Sequence, residues 1–316
     1  MPETTEKLNG GVKRSATMHK SKVSDMIFYC CLLAIPVLQF CVFYIGVNLN
    51  SILLSFQGNY DFGLGVYDRI GFENFARFFR EWSSSAQLSV SVKNALIGLG
   101  FNLALGIPLA LMFSYYIYKR RPMSTLFKIV LFMPSIVSTV VIVNNFRYFV
   151  ELAIPEFAKA VFHVEMKGML ENAATRFSTI IFYNLWIGFG TPILMYVGAM
   201  NSISAAISEA AQIEGASKMQ EFWYITLPLT YPTIVTFVIV NIAGAFNNQL
   251  NLYTFYGGYA PSLVQTFGYI IYSKTQAATY ADYPYLAAMG LLMTVIVVPI
   301  TLGIKWALER FGPSSD

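Results

Sequence analysis

Nine residues stand out because their chemistry is hydrogen bonding and stacking inside otherwise apolar sequence: Asn144, Asn145, Tyr183, Asn184, Trp186, Phe246, Asn247, Asn248 and Gln249. A polar group at membrane depth is costly unless it faces protein or a water-filled cavity. Amides that both donate and accept, beside flat aromatic faces, fit the wall of a path for a polar solute. The competing role is hydrogen bonding between helices, worth about 0.6 kcal/mol each. Arg147, towards the end of its apolar run, either meets an acidic solute or reaches out to lipid headgroups. Covalent chemistry is not written in the pattern. There is no nucleophile–base constellation, no G-x-x-x-x-G-K-[ST] phosphate loop and no metal-ligand spacing, so neither a catalytic nor a metal-binding residue is expected. Cys30, Cys31 and Cys41 share the first apolar run and read as apolar side chains. His19 and His163 stand far apart in polar segments and read as solvated.

The elements that must carry these residues follow from composition. Hydrophobic residues make up 56% of the chain and charged ones 12%, against roughly a quarter charged in a soluble domain. With a mean hydropathy of +0.54, this predicts an all-α, polytopic integral membrane protein with six transmembrane helices. A polar, basic leader covers 1–25, and the first span covers 26–48. Residues 49–93 form a mixed, aromatic-rich segment with helices lying at the interface. The five-helix core, 94–308, has spans at about 94–118, 127–150, 177–199, 229–250 and 285–308, and 309–316 is a short tail. The densest basic cluster outside the leader is Lys119, Arg120, Arg121 and Lys128. By the positive-inside rule that loop is cytoplasmic, and so are both termini and the 201–228 loop. Basic runs with interleaved aromatics are missing outside the spans, which excludes nucleic acid as a partner. Ionisable residues are scarce within the spans and no internal repeat is visible, which counts against an ion-coupled or pseudo-symmetric carrier.

One polar island interrupts the apolar pattern: Ser208-Glu209-Ala210-Ala211-Gln212-Ile213-Glu214-Gly215-Ala216, followed by Phe222, Ile225, Thr226, Leu227 and Pro228. Ile203, Ile207, Ala210/Ala211 and Glu214 are spaced for one helix face. Gly215 stops that helix or turns it sharply. Ser217 and Gln220 have the spacing of a capping box for a second helix. The spacing predicts a helix–turn–helix at a membrane surface.

The string E-A-A-x3-G-A-x5-F-x2-I-T-L-P between two spans resembles the EAA loop of the permease subunits of binding-protein-dependent ABC importers. The likeness continues through Ser55-Phe56, Gly71-Phe72-Glu73-Asn74-Phe75, Asn94-Ala95-Leu96, Arg121-Pro122 with Phe132-Met133-Pro134, Gly257-Gly258 and Tyr269-Ile270-Ile271-Tyr272. These are similar to signatures of carbohydrate permeases of the maltose-permease type, and they cover nearly the whole chain from about Ile35. Tyr259 stands where those permeases place a proline. Six spans, no large inserted extracytoplasmic domain and no G-A-[VM]-K-G ending place the chain on the first-permease side of a heterodimer.

The resemblance implies a type I ABC importer permease fold, multi-pass in the bacterial plasma (inner) membrane and passing a sugar or oligosaccharide inward by alternating access. It implies a second permease subunit, two ATPase subunits that hold ATP and Mg, and an extracytoplasmic solute-binding protein. This chain itself would hold no cofactor and would not be an enzyme. ATPase coupling would fall to Glu209, Ala210, Ala211, Gly215, Ala216, Phe222, Leu227 and Pro228, and the amides and aromatics above would meet the sugar. The rival expectations are a permease for another solute in the same machine, a secondary carrier, and a membrane-embedded enzyme.

Overall fold

The computed structural model describes residues 14–68 and 71–313; the first part of the leader, Arg69, Ile70 and the last residues of the tail lie outside the described residues. The first span, α1 (Ser24–Ser55), continues a helix that begins at Arg14. It runs seven residues beyond the expected end at 48, and no residue of its apolar window is buried within the chain. A two-stranded antiparallel hairpin follows, β1 (Tyr60–Asp61) and β2 (Val66–Tyr67), pairing Tyr60 with Tyr67. Next come the amphipathic helix α2 (Glu73–Ser84) and the second span, α3 (Ala86–Tyr118). The latter starts well before Asn94 because Ser85 caps it, its side chain accepting from the Gln87 N–H.

The third apolar run is not one straight span. α4 (Ser124–Ile136) and α5 (Thr139–Phe162) meet at an angle of 105°. Pro134 removes one backbone donor from the end of α4, and Val137 and Ser138, both with extended backbone (ψ 145° and 130°), turn the chain. α6 (Ala173–Asn201) begins at the Asn172 cap. The short α7 (Ala205–Ile213) precedes α8 (Lys218–Gly244), and then come α9 (Leu252–Tyr256), α10 (Phe267–Gln276) and the last span, α11 (Tyr283–Phe311). Among the described residues there are thus five continuous helices long and apolar enough to cross a membrane, and a sixth crossing if the bent pair counts as one.

Wide π-type turns interrupt several spans. Three of them, Asn102–Gly106, Phe149–Ala153 and Phe222–Thr226, end two residues before a proline: Pro108, Pro155 and Pro228. A proline inside a helix lacks an N–H and crowds the carbonyl four residues back. Widening the preceding turn relieves both faults without breaking the helix.

Two apolar cores hold the bundle. One gathers Val143, Ile180, Tyr183, Leu252, Phe267 and Met289, and the other Ile107, Ala110, Ile193, Tyr196, Met200 and Phe222. At one end of the bundle, loops are tied down by the polar residues of the recognised signatures. Asn74 donates to the carbonyls of Ser55 (3.1 Å) and Gln57 (2.8 Å), fixing α2 to the exit of α1. Asn94 donates to Leu263 O and Gln265 O, both at 2.9 Å. The Tyr269 hydroxyl donates to Gly257 O (2.9 Å) and accepts from Ala260 N–H (3.0 Å).

At the same end Glu81 joins three helices. It accepts from the Tyr285 hydroxyl (2.6 Å) and Arg77 Nε (2.9 Å) and lies 3.9 Å from Lys274 Nζ. Burial pushes the Glu81 carboxyl up, but the Tyr285 and Arg77 hydrogen bonds and the Lys274 charge outweigh it and hold the carboxyl below the usual carboxylate range.

Candidate functional site

A cavity of about 350 Å³ lies between α3, α6 and α8, lined by members of both cores. Its polar wall is almost all amide: Asn102, Asn184, Asn241, Asn248 and Asn251, with Tyr196 beside them. Phe189 and Phe237 supply aromatic faces, and no Lys, Arg, His, Asp or Glu lines it among the described residues. Asn102 opens the wide turn in α3 and makes no side-chain hydrogen bond to a described residue, so its amide is free for a solute. Asn241 donates to Phe237 O (2.8 Å), and its carbonyl remains open. The Tyr196 hydroxyl is buried without a partner.

Asn184 has a second task. Its Nδ2 donates to Leu250 O (3.0 Å) and Ile180 O (2.8 Å), while its Oδ1 accepts from Asn251 Nδ2 (2.8 Å). Leu250 and Asn251 both hold left-handed backbone, φ 49° and 56°, which asparagine tolerates but which is strained for leucine. Asn184 therefore latches a strained segment along the cavity wall. Gly268 supports the same segment from behind: a Cβ there would lie 2.5 Å from the Asn247 backbone.

Of the residues expected to meet a solute, Asn184 and Asn248 line this cavity. The others do not. α8 ends at Gly244 rather than 250, so Asn247, Asn248 and Gln249 lie on the following loop and not on a span. Asn144 and Asn145 are exposed on α5 beyond the 105° bend. Tyr183 is fully buried in an aromatic cluster with Phe146 and Phe255, at ring separations of 4.9 and 5.0 Å. Trp186 stacks on Phe146, and Phe246 packs on the first core. Asn102, Asn241 and Asn251 were missed by the sequence reading, although an isolated amide in an apolar run was the signal already used elsewhere.

The polar island forms helix, turn and helix. Gly215 adopts φ +80° between α7 and α8, a conformation that side chains resist. Ser217 and Gln220 make the full capping box at the start of α8. Glu209, Ala210 and Gly215 are exposed, as is Ile213 at 87%. Ala216, Leu227 and Pro228 are half-buried. Ala211 and Phe222 are buried against the chain itself, the Phe222 ring packing tilted on Tyr115 of α3 with centroids 4.9 Å apart, so these two fix the island rather than face outward.

The sequence reading also passed over Glu221, which is 4% exposed at the base of the island. Its carboxylate pairs with Lys119 at the end of α3 and accepts from the Ser208 hydroxyl of α7. Lys119 Nζ also donates to Ser208 Oγ (3.1 Å) and sits 5.0 Å from the centre of the Tyr118 ring. The Tyr115 hydroxyl donates to Lys218 O (2.8 Å) and approaches Glu221 Oε2 at 3.5 Å. Removing one member of a buried ion pair costs about 3–5 kcal/mol, because the other is left unpaired. An acid at the very edge of an apolar run was the available clue.

Residues 103–315 match the family described as "Binding-protein-dependent transport system inner membrane component". The arabinooligosaccharides transport system permease protein AraP of Bacillus subtilis (strain 168) is 23% identical, over 84% of this chain and 83% of its own. The multiple sugar-binding transport system permease protein MsmF of Streptococcus mutans serotype c is 23% identical, over 73% of this chain and 78% of its own. Among solved structures, a chain of a bacterial ABC transporter involved in the import of the acidic polysaccharide alginate superposes with a TM-score of 0.74. That match is 20% identical and covers 93% of this chain and 99% of the other; the likeness is one of fold.

Proposed function

This chain belongs to the family of binding-protein-dependent transport system inner membrane components, and we propose that it passes a neutral sugar or oligosaccharide across a bacterial inner membrane. It is a membrane-spanning ABC permease, a transport subunit. The observation that carries the choice of solute is the cavity: five asparagines and a tyrosine, two aromatic faces, and no ionic side chain. Hydroxyl-rich solutes are bound by amides that donate and accept, and a carboxylated sugar would leave its charge unpaired against this wall. The transport of arabinooligosaccharides and of multiple sugars by its relatives supports the sugar class.

In this reading the basic Lys119–Arg121 end faces the cytoplasm, with both termini and the island. The island docks on one of two ATPase subunits, which hold ATP and Mg. A second permease completes the path, and a binding protein delivers the sugar at the Glu81 end. Closing of the ATPase pair moves the two islands and switches the cavity between the two membrane faces. Glu209, Ala210 and Gly215 lie on the exposed side of the island and are the docking residues this reading favours.

The test is to purify the chain in detergent with its partners and measure ATP hydrolysis with candidate binding proteins. Co-purification of a second permease and an ATPase, with hydrolysis stimulated by a binding protein loaded with neutral sugar, is expected. Stimulation by acidic sugars alone would overturn the neutral assignment. Uptake into liposomes by this chain alone without ATP would overturn the importer.

A further inference from the structure

We propose that Lys119 and Glu221 are positioning residues that join the docking island to α3, so that movement of the island is delivered to the helix lining the cavity and not only to the one that follows it in the chain. The proposal rests on the reading of the island as the ATPase dock.

The island continues directly into α8, so α8 must follow its displacement. α3 has no such tether: Lys119 is separated from Ser208 and Glu221 by 89 and 102 positions. Yet α3 carries Asn102, Gly106, Ile107 and Ala110 of the cavity wall. Glu221 gathers three elements at one carboxylate, namely Lys119 and Tyr115 from α3, Ser208 from α7, and its own α8. The lysine and glutamate side chains are 17% and 5% exposed. Tyr115 adds a second strut, from its hydroxyl to Lys218 O and from its ring to Phe222.

For stability alone an apolar pair of the same size would serve as well or better. What the ion pair adds is direction. Its several hydrogen bonds fix the angle between α3 and the island, where apolar contacts would slide. The ammonium is steered further by two rings, at 5.0 and 5.8 Å.

The experiment uses the whole complex in proteoliposomes with its loaded binding protein, and reads sugar imported per ATP hydrolysed. In Glu221→Gln and Lys119→Met, assembly and ATP hydrolysis persist while sugar per ATP falls at least fivefold. The exchanged pair Lys119→Glu/Glu221→Lys restores at least half of the ratio. If all variants lose yield, hydrolysis and import in parallel, at an unchanged ratio, the pair is only structural and the proposal is overturned. A Cys-free background carrying Ile213→Cys separates the two ideas. Failure of that cysteine to cross-link to the ATPase removes the docking reading and this proposal with it. Cross-linking with an unchanged ratio in Glu221→Gln overturns this proposal alone.

Discussion

Replacing Asn184 with alanine is expected to unlatch the cavity wall without unfolding the bundle. The substitution removes the hydrogen bonds to Leu250 O and from Asn251 Nδ2. A net hydrogen bond of this kind contributes about 1 kcal/mol, so the latch supplies roughly 2 kcal/mol. Against it stands the left-handed backbone of Leu250, costing about 1–3 kcal/mol, Asn251 adopting that conformation more readily. The opposing terms are of similar size, so the segment loses its present conformation once the latch is gone. The assay is hydrogen exchange on a peptide containing residues 247–252. Its Leu250 N–H is held by Asn248 Oδ1 at 2.8 Å and its Leu252 N–H by Gln249 O at 2.9 Å, so both are expected to exchange slowly in the native chain. Exchange at this peptide rises in Asn184→Ala while peptides of α3 and α11 stay protected. Asn102→Ala is the matched control, since Asn102 holds nothing in the protein. It leaves exchange unchanged and slows sugar transport at saturating binding protein roughly threefold to tenfold, the loss of one solute hydrogen bond of about 0.5–1.5 kcal/mol. Native exchange in Asn184→Ala would refute the latch, and native transport in Asn102→Ala would refute the solute path.

Two further outcomes test the frame around the site. Gly268→Ala drives a Cβ to 2.5 Å from the Asn247 backbone; it is expected to cost about 1–3 kcal/mol and lower the thermal transition, whereas Gly290→Ala, inside α11 with nothing within 4 Å, leaves it unchanged or raises it, since alanine favours helix over glycine. Folding lowers the Glu81 pKa, so its contribution is complete above the ordinary carboxylate value of about 4.3 and is lost as pH falls through the lower folded value. Wild type is therefore more heat-stable than Glu81→Gln at neutral pH, and the gap closes in acid; a gap independent of pH would show that the Glu81 charge is not what holds α2 to α11.

The spans were legible in the sequence because long apolar runs have few other uses, and the island because its glycine and capping box dictate a turn locally. The break between α4 and α5 was hidden: Pro134 marked a fault, but the bend falls at Val137 and Ser138, and a single serine at a helix N-cap position is a weak signal inside an apolar run. The amide lining of the cavity was half legible for a related reason. Asn144 and Asn145 stand on the far side of that break, while Asn102 and Asn241 are single amides in runs that otherwise look like lipid-facing helix. The Lys119–Glu221 pair joins residues far apart in sequence, and nothing in either local pattern names the other.

The proline-linked wide turn in α3 sets a phase relation. Above it stands Asn102, facing the cavity, and below it Lys119, facing Glu221. Regular helix advances by 100° and 1.5 Å per residue, and the wide turn accommodates one residue more than a regular turn. Removing one residue from the regular stretch Ile107–Tyr118, where no wide turn absorbs the change, would leave an equally apolar helix and yet swing Lys119 by about 100° relative to Asn102. The number of residues in α3 between Asn102 and Lys119 is therefore part of the geometry that aims one at the cavity and the other at Glu221.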